Sequence, residues 1–274
     1  CIDSCDELFC ICMKINILKQ LETAWSGRTC LCFDTLDSTQ TYGKELALRE
    51  LVHGTLIVAD IQSAGKGRRG RVWQSPKGST ISMSFCLEPR IRPEHAAGLT
   101  LVMAMAVAEG IFELTGMDSR IKWPNDIVIN GKKVCGILTE LILKEAGYVV
   151  IIGTGINVTT EQFPDEIKEI ASSLKLETEK DVSREALIAS VLKHFEHYYE
   201  IYTQTEDLSA LKEVYEKRLA NKDREVRVLD PKGPYEGVAR GINAEGNLVV
   251  ERADGSRCCV DSGEVSVRGL YGYV

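Results

Sequence analysis

The sequence predicts an α+β fold in which helices pack on one β-sheet, followed by a small β-barrel at the C-terminal end. Three observations support this prediction. Strand-like and helix-like runs succeed one another from residue 29 to residue 220. The helical run 93–114 is almost entirely apolar, as expected of a helix that packs on a sheet. From Arg224 onward the chain consists of short alternating runs separated by glycine-containing turns, which is typical of a small barrel.

The first part of the chain is predicted to contain two helices and one strand. The run 14–28 has apolar residues at helical spacing and a glycine near its end, so we expect a lead-in helix within an N-terminal segment 1–28. A strand is predicted at 29–33, and a second helix is predicted to end near Leu51. Ser38 lies at the start of that helix, where its hydroxyl can cap free backbone N–H groups.

The middle of the chain is predicted to complete the sheet within a domain that spans 29–222. The Asn130-Gly131 pair favours a tight hairpin turn, because both residue types readily adopt positive φ. The predicted elements are strands at 55–59, 81–87 and 148–153, a β-hairpin over 127–143, and helices at 93–114 and near 165–174, 183–203 and 207–220.

The C-terminal residues 223–274 are predicted to form the barrel. Their alternating runs are short, and each run is followed by residues that favour turns. The five predicted strands are 226–229, 235–242, 248–252, 257–260 and 265–267.

The stretch from residue 58 to residue 77 concentrates more glycine and positive charge than any other part of the chain. Glycine lets the backbone turn at positive φ and approach a ligand, while the cations and the freed N–H groups favour an anion. The sequence therefore predicts a phosphate-binding loop. Its glycines are Gly65, Gly67 and Gly70, and its cations include Lys66, Arg68, Arg69 and Arg71.

Two common nucleotide-binding patterns do not explain this loop. The spacing from Gly65 to Gly70 matches the dinucleotide fingerprint, but that fingerprint needs a helix at its third glycine, and turn-like residues follow here. The Gly-Lys-Ser/Thr ending of a phosphate-binding P-loop is absent. A solvated basic loop without a ligand remains an alternative for an isolated run of charges.

Four motifs, in order along the chain, resemble those of bacterial biotin protein ligases. The stretch 62–76 looks like the glycine-rich biotinyl-adenylate loop of that family. Lys122-Trp-Pro-Asn-Asp126, Lys133-Val-Cys-Gly-Ile-Leu138 and Gly153-Thr-Gly-Ile-Asn157 are similar to its second, third and fourth motifs. The resemblance implies a biotin/lipoate ligase fold, like that of class II aminoacyl-tRNA synthetases, with a mixed sheet and an SH3-like C-terminal barrel.

The resemblance implies an ATP-dependent biotin–protein ligase. Such an enzyme forms biotinyl-5′-AMP from biotin and ATP with Mg²⁺. It then transfers biotin to a lysine of the biotin carboxyl carrier protein of acetyl-CoA carboxylase or of a related carboxylase. Both steps bring anions together, so the protein must supply positioning and positive potential more than a nucleophile. This agrees with the lack of a convincing Ser-His-Asp or Cys-His pattern in the sequence.

The resemblance also assigns roles to individual residues. The cations predicted to be catalytic are Arg68, Lys133 and Lys122, and Asp126 is predicted to hold Mg²⁺. Each lysine could instead be a solvated surface residue. The residues predicted to bind biotin are Ser38, Thr39, Gln40, Gln62, Gly65, Lys66, Gly67, Arg68, Lys133 and Gly136. Those predicted to bind the nucleotide are Arg68, Arg71, Trp73, Asn125, Gly153, Gly155 and Asn157. The loop has Lys66 where arginine is frequent in the family.

Composition limits the classes of function. The 274 residues are 44% hydrophobic and 27% charged, which is typical of a globular protein. No apolar run approaches the length of a membrane span, so we expect a soluble, cytoplasmic protein without membrane contact. The net charge of −7 argues against nonspecific binding of nucleic acid. The N-terminal cysteines have no Cys-x-x-Cys pair and no nearby histidine, so we expect no metal site at Cys1, Cys5, Cys10 and Cys12.

Two rival functions remain open at this point. A lipoate or octanoate ligase would share the fold and the adenylate chemistry, but the glycine-arginine loop with Trp73 resembles the biotin branch. A non-enzymatic biotin-sensing repressor would need the helix-turn-helix domain of larger family members. The few residues before position 14 do not resemble one, so we expect a short form of the ligase. Family members often pair through a sheet edge, which makes a homodimer a further expectation.

Overall fold

The larger of the two β-sheets in the computed structural model is mixed and has seven strands. The structure describes residues 4–262, 266–269 and 273–274. The strands lie in the order β1-β2-β3-β7-β6-β5-β4. β1 and β2 are parallel, and the other neighbours are antiparallel. Their bounds are β1 Thr29–Leu36, β2 Thr55–Gln62, β3 Thr80–Leu87, β4 Arg120–Lys122, β5 Asp126–Ile129, β6 Lys132–Leu143 and β7 Tyr148–Asn157.

The two faces of this sheet differ in the size of their side chains. In β3, Ile81, Met83 and Phe85 point into the main core, whereas Ser82 and Ser84 point to the opposite face. The core face is covered by the long helices α3 and α5 together with α1, and α2 covers part of the other face. The helices are α1 Ser4–Gln20, α2 Thr39–Ala47, α3 Leu99–Thr115, α4 Leu174–Thr178, α5 Arg184–Thr205 and α6 Lys212–Arg218.

The apolar helix at the centre of the core satisfies a simple membrane-span criterion. In the part of the chain that the structure describes, Pro93–Thr115 is the one helical stretch long and apolar enough to cross a bilayer. However, 67% of its most apolar window is buried inside the protein, as in the core helix of a soluble domain. The sequence did predict a helix here, although its first turns, Pro93–Gly98, are 3₁₀-helical.

A five-stranded antiparallel sheet follows at the C-terminal end. The strand order is β11-β10-β9-β8-β12, so the last strand pairs with the first. Val265, which belongs to the predicted strand 265–267, lies outside the described residues, as does Cys1 of the N-terminal cysteines. The strands are β8 Arg224–Leu229, β9 Tyr235–Ile242, β10 Leu248–Glu251, β11 Arg257–Val260 and β12 Ser266–Gly269.

Three helix predictions differ from the structure: one helix is shifted along the chain, one does not form, and one ends early. The lead-in helix predicted at 14–28 is α1, which ends at Gln20. The three N–H groups of residues 24–26 instead bind the Glu196 carboxylate at 2.7, 3.0 and 2.8 Å. The helix predicted at 165–174 is a series of turns, because the chain there pairs with β6 through Lys133 N to Ile170 O at 2.7 Å. In addition, α2 ends at Ala47, four residues before the predicted end.

Replacing Tyr215 by phenylalanine is expected to stabilise the protein. Tyr215 in α6 is fully buried, and its hydroxyl has no hydrogen-bond partner among the described residues. Removing an unpaired buried hydroxyl should raise the free energy of unfolding by about 1 kcal/mol. Tyr148→Phe is the matched control, because the Tyr148 hydroxyl donates to Ile91 O at 2.8 Å and its loss should destabilise. Urea unfolding of both variants checks the opposite signs, and destabilisation by Tyr215→Phe would contradict the prediction.

Candidate active site

The floor of the site is made of very small residues on the open face of the sheet. Gly155 lies between Ser82 of β3 and Gly136 of β6, and Gly153 pairs with Ser84. A Cβ atom on Gly155 would come within 2.2 Å of the Trp73 indole, and one on Gly153 within 2.6 Å of Gln40 Oε1. The absence of side chains therefore creates the concave surface on which these larger groups lie.

The smaller of two adjoining cavities opens above this floor. The larger has a volume of about 380 Å³ and the smaller about 50 Å³. They share one wall, formed by Gly67, Arg68, Trp73, Asn125 and Lys133. A ligand in one cavity would therefore meet a ligand in the other beside one guanidinium and one ammonium group.

The smaller cavity is lined by a connected set of amides and hydroxyls. Gln62 Oε1 accepts hydrogen bonds from Thr39 N at 2.8 Å and from Thr39 Oγ1 at 3.2 Å. The Ser84 hydroxyl lies 2.9 Å from Thr39 Oγ1 and 3.1 Å from Gln40 Oε1. Ser38 begins α2, and its hydroxyl accepts from Thr41 N, as predicted for an N-cap. This cavity suits a small, uncharged, polar ring.

A β-bulge aims Lys133 into the site. Ile127 pairs with Cys135 while Val128 pairs with Lys133, so Val134 is an extra residue in β6. The bulge places Lys133 on the same face as Asp126 and Gly136, although a regular strand would alternate them. A Cβ on Gly136 would meet the Lys133 ammonium at 2.9 Å.

The larger cavity contains a buried carboxylate between two ammonium groups. Asp126 Oδ1 lies 2.7 Å from Lys133 Nζ, and Asp126 Oδ2 accepts from the Tyr273 hydroxyl at 2.5 Å. Burial alone would raise the pKa of Asp126, but Lys133 and Lys122 outweigh burial and hold that pKa below its usual value. Burial lowers the pKa of Lys122 to about 8, and Asp126 opposes that shift.

The glycine loop folds over the site as a narrow hairpin. Trp73 N donates to Gly65 O at 2.9 Å, and Gly67 N donates to Arg71 O at 2.8 Å. A Cβ on Gly65 would lie 2.3 Å from Trp73 O, so the close approach of the two loop segments requires glycine there. The loop thus supplies Gly67, Arg68 and Trp73 to the wall that the two cavities share.

Arg68 joins this loop to the region of the larger sheet and to the C-terminal part of the chain. Its guanidinium donates to Asn125 Oδ1 at 2.7 Å and to the carbonyl of Ser262, which follows β11, at 2.5 Å. Burial lowers the pKa of Arg68. The guanidinium therefore sits where its charge is little screened by water.

Most of the predicted site residues come together here. Of the residues predicted to bind biotin, Ser38, Thr39, Gln40, Gln62, Lys66, Gly67, Arg68, Lys133 and Gly136 line the smaller cavity. Gly65 lines neither cavity and acts on the loop instead. Of the residues predicted to bind the nucleotide, Arg68, Arg71, Trp73, Asn125 and Asn157 line the larger cavity, and Gly153 and Gly155 line the smaller one. Lys122 and Asp126 line the larger cavity.

Several lining residues were not predicted. Ser82 and Ser84 could have been recognised from the alternation of small and large residues in β3. Arg268 of β12 and Tyr273 near the C-terminal end reach the larger cavity, and the Tyr273 ring lies 4.2 Å from Lys122 Nζ. No local signal marks them. The apolar wall of that cavity is Phe163, Pro164, Ile167, Ile170 and Ala171.

Mg²⁺ fits this site only in company with a phosphate ligand. The cavity presents Asp126, whose two oxygens already accept bonds from Lys133, Asn125 and Tyr273. Among the described residues, no group of three or more His, Cys, Asp or Glu side chains could hold a metal. Mg²⁺ is commonly bound through one carboxylate plus substrate phosphates, so it would arrive with a triphosphate.

Gly155→Ala is expected to displace Trp73 from the floor. The new Cβ would overlap the indole, and overpacking of this kind costs about 1–3 kcal/mol of stability. Denaturant unfolding measures the cost. In the double variant Gly155→Ala/Trp73→Ala, the glycine substitution should cost almost nothing, because its steric partner is gone. An equal cost in both backgrounds would show that the overlap is relieved elsewhere.

Comparison with known proteins places this chain among biotin ligases. The model of the biotin/lipoate A/B protein ligase family matches residues 32–157, and that of the biotin protein ligase C-terminal domain matches residues 223–268. The bifunctional ligase/repressor BirA of Bacillus subtilis is 41% identical over 238 residues, which cover 86% of this chain and 73% of the relative.

Two further relatives agree. The biotin–[acetyl-CoA-carboxylase] ligase of Mycobacterium tuberculosis is 30% identical, with 78% of this chain and 79% of the relative covered. The structure of the biotin protein ligase from Aquifex aeolicus in complex with biotin and ATP superimposes with a TM-score of 0.78 and 31% identity, covering 88% of this chain and 99% of that one. The chain therefore belongs to the biotin/lipoate A/B protein ligase family.

Proposed function

We propose that this protein is an ATP-dependent biotin–protein ligase, which makes biotinyl-5′-AMP and then transfers biotin to a lysine of a carrier protein. The observation that carries the proposal is the wall shared by the two cavities, with Arg68 and Lys133 in it. Adenylation requires two anions to meet, and a pair of cations at their meeting point favours that encounter. Two relatives that are named as ligases support the same function, as does a related structure that contains biotin and ATP.

The smaller cavity is the proposed site of the biotin ring system. A ureido ring offers N–H donors and a carbonyl acceptor, which match the mixed amides and hydroxyls of Thr39, Gln40 and Gln62. The carboxylate end would then extend toward Lys133. A lipoyl or octanoyl group has no such polar ring, so the hydrogen-bonding set favours biotin over those acids.

The larger cavity is the proposed site of ATP. The triphosphate would lie among Arg68, Arg71 and Lys122, because planar guanidinium groups bind oxyanions in a bidentate manner. The adenine ring would lie between the Trp73 indole and the apolar wall at Phe163. Asp126 would contact Mg²⁺ carried by the triphosphate.

The chemistry needs little from the protein beyond positioning and charge. In the first step a carboxylate oxygen of biotin attacks the α-phosphorus of ATP, the bond to the bridging oxygen breaks, and pyrophosphate leaves. Lys133 would hold the carboxylate against the phosphate, and Arg68 would stabilise the charge that develops on the phosphate oxygens. In the second step the amine of the carrier lysine attacks the acyl carbon, and AMP leaves.

The remaining partners and boundaries are proposals as well. The acceptor is a biotin carboxyl carrier domain, as the name of the Mycobacterium tuberculosis relative suggests. We place the domain boundary at 222/223, which is supported by the start of the second family match. Free thiols at the described cysteines fit a cytoplasmic location. Pairing of two copies through a sheet edge remains a prediction for analytical ultracentrifugation.

The test of the function is exchange of labelled pyrophosphate into ATP. Exchange is expected with biotin, and not with lipoate or octanoate assayed in parallel. Exchange with lipoate or octanoate but not biotin would identify the other branch of the family. A folded protein that supports no exchange with any of the three acids would contradict the proposed function.

The pH dependence of ATP use is expected to follow Lys122. Since burial lowers the pKa of Lys122 to about 8, this group loses its charge as the pH rises through that value. The kcat/KM for ATP should therefore fall above about pH 8, because this parameter reports the free enzyme. Lys122→Arg keeps its charge and should remove the decline.

Stability should change in the opposite direction over the same range. Between pH 8 and the ordinary lysine pKa of 10.5, the unfolded chain binds a proton that the folded protein has lost. The contribution of Lys122 to the free energy of unfolding therefore rises with pH in this window. Loss of activity together with loss of stability would indicate unfolding and would contradict the assignment to Lys122.

A further inference from the structure

Two cysteines lie side by side on the edge strand of the sheet, away from both cavities. Cys30 and Cys32 are two residues apart in β1, so their side chains point to the same face. Their Sγ atoms are 3.6 Å apart, and both are free thiols. Cys30 is 3% exposed, and Cys32 is partly exposed. Nothing in the proposed ligase chemistry uses them.

The surroundings give the two thiols different reactivity. The hydrogen bond between the two thiols, helped by the charge of Lys14 on α1, lowers the pKa of Cys30 against the opposing effect of burial. The same hydrogen bond, together with burial, raises the pKa of Cys32. Burial and Asp34 raise the pKa of nearby Cys10 to about 12. Cys30 is therefore the thiol of this pair that loses its proton more readily, and thiolates are the nucleophiles in cysteine chemistry.

The strand geometry makes a bond between them possible but strained. Residues two apart in a strand have Cα atoms about 6.7 Å apart, near the upper limit of about 6.8 Å for disulfides. Most disulfides have Cα atoms about 5.5–6 Å apart, so an unstrained bond would require local shortening of β1. Strained disulfides are easily reduced, and labile bonds of this kind are typical of reversible sites in reducing compartments.

We propose that Cys30 and Cys32 are a reversible oxidation site that forms an intrastrand disulfide on reaction with hydrogen peroxide. The Cys30 sulfur attacks one peroxide oxygen, the O–O bond breaks, and the departing hydroxide takes a proton to become water. The sulfenic acid on Cys30 is then attacked by the Cys32 sulfur. The S–O bond breaks, and the second oxygen leaves as water with the proton of the Cys32 thiol. Two thiols lose two electrons in total, and one peroxide becomes two waters.

The sequence makes the product easy to identify. Trypsin cleaves after Arg28 and Lys44, so Cys30 and Cys32 share the peptide 29–44, which contains no other cysteine. Cys10 and Cys12 lie in the peptide that ends at Lys14. After peroxide treatment and alkylation of the intact protein, peptide 29–44 should be lighter by two hydrogen atoms and carry no alkyl group. Millimolar glutathione should restore two alkylation sites.

Single substitutions test the assigned roles. Cys32→Ala should leave Cys30 as a sulfenic acid that dimedone traps, because the second thiol is gone. Cys30→Ala should leave Cys32 reduced, and Cys10→Ala should form the disulfide normally. Retained biotin-dependent pyrophosphate exchange shows that each variant is folded.

Three results would overturn the proposal. They are a crosslink between peptide 29–44 and the peptide that contains Cys10, sulfinic acid on Cys30 in the unsubstituted protein, or two alkylatable thiols in peptide 29–44 after peroxide treatment. If a variant does not fold, the peptide measurement on the unsubstituted protein decides alone.

Discussion

Replacing Arg68 by glycine is expected to let biotinyl-5′-AMP escape at least about 100 times faster, so that lysines of unrelated proteins become biotinylated. Arg68 ties the glycine loop to Asn125 and to the carbonyl of Ser262. Hydrogen bonds from a charged group contribute about 1.5–3 kcal/mol each, and about 1.4 kcal/mol corresponds to a tenfold change. Without them the loop should open more often and release the reactive adenylate.

Rapid filtration of labelled adenylate measures the release rate, and labelling of a bystander protein measures the loss of specificity. Arg69→Gly is the matched control. It removes the same charge from the neighbouring position, where φ is +59° and glycine fits without strain. Arg69→Gly should keep slow release, and equally fast release in both variants would assign the effect to loop charge rather than to the Arg68 contacts.

Replacing Lys133 by methionine is expected to slow biotin adenylation by about 100- to 1000-fold, the usual effect of removing one group that stabilises transition-state charge. Methionine keeps most of the length of the side chain and removes the ammonium that lies in the wall common to both cavities. Single-turnover formation of biotinyl-5′-AMP measures the rate. Biotin binding, measured by calorimetry, should change much less than the rate of the chemical step.

The difficulty with Lys133→Met is that it leaves Asp126 buried with one cation fewer, and breaking a buried ion pair costs about 3–5 kcal/mol. Lys133→Met/Asp126→Asn removes both charges and should recover most of that stability. If the double variant is stable but forms the adenylate much more slowly than Asp126→Asn alone, the loss belongs to the missing Lys133 ammonium. Recovery of adenylation in the double variant would contradict a direct role for Lys133.

The local part of the fold could be predicted from the sequence. The β6 hairpin follows from Asn130 and Gly131, which have φ of +50° and +79°. The α2 start follows from Ser38, and the apolar run of α3 identifies the core helix. These features depend on neighbouring residues alone, so a sequence pattern is enough to find them.

The rest of the site depends on contacts between distant segments. The segment near residue 170 has a helical pattern but pairs with β6, because tertiary hydrogen bonds override a weak helical preference. The contacts of Ser262 and Tyr273 exist only because the C-terminal sheet folds back on the larger domain. The resemblance of four motifs to a known family predicted that the cations share one site. The periodicity of β6 alone would not have predicted that Lys133 lies beside Gly136.

The β-bulge at Val134 has a consequence for protein design. Residues three apart in a regular strand point to opposite sides of a sheet, so the Lys-x-x-Gly spacing of Lys133 and Gly136 can serve one site only if the strand is bulged. Copying these side chains onto an ideal flat strand would turn the ammonium toward the hydrophobic core. A transplanted site would therefore need the irregular backbone as well as the residues.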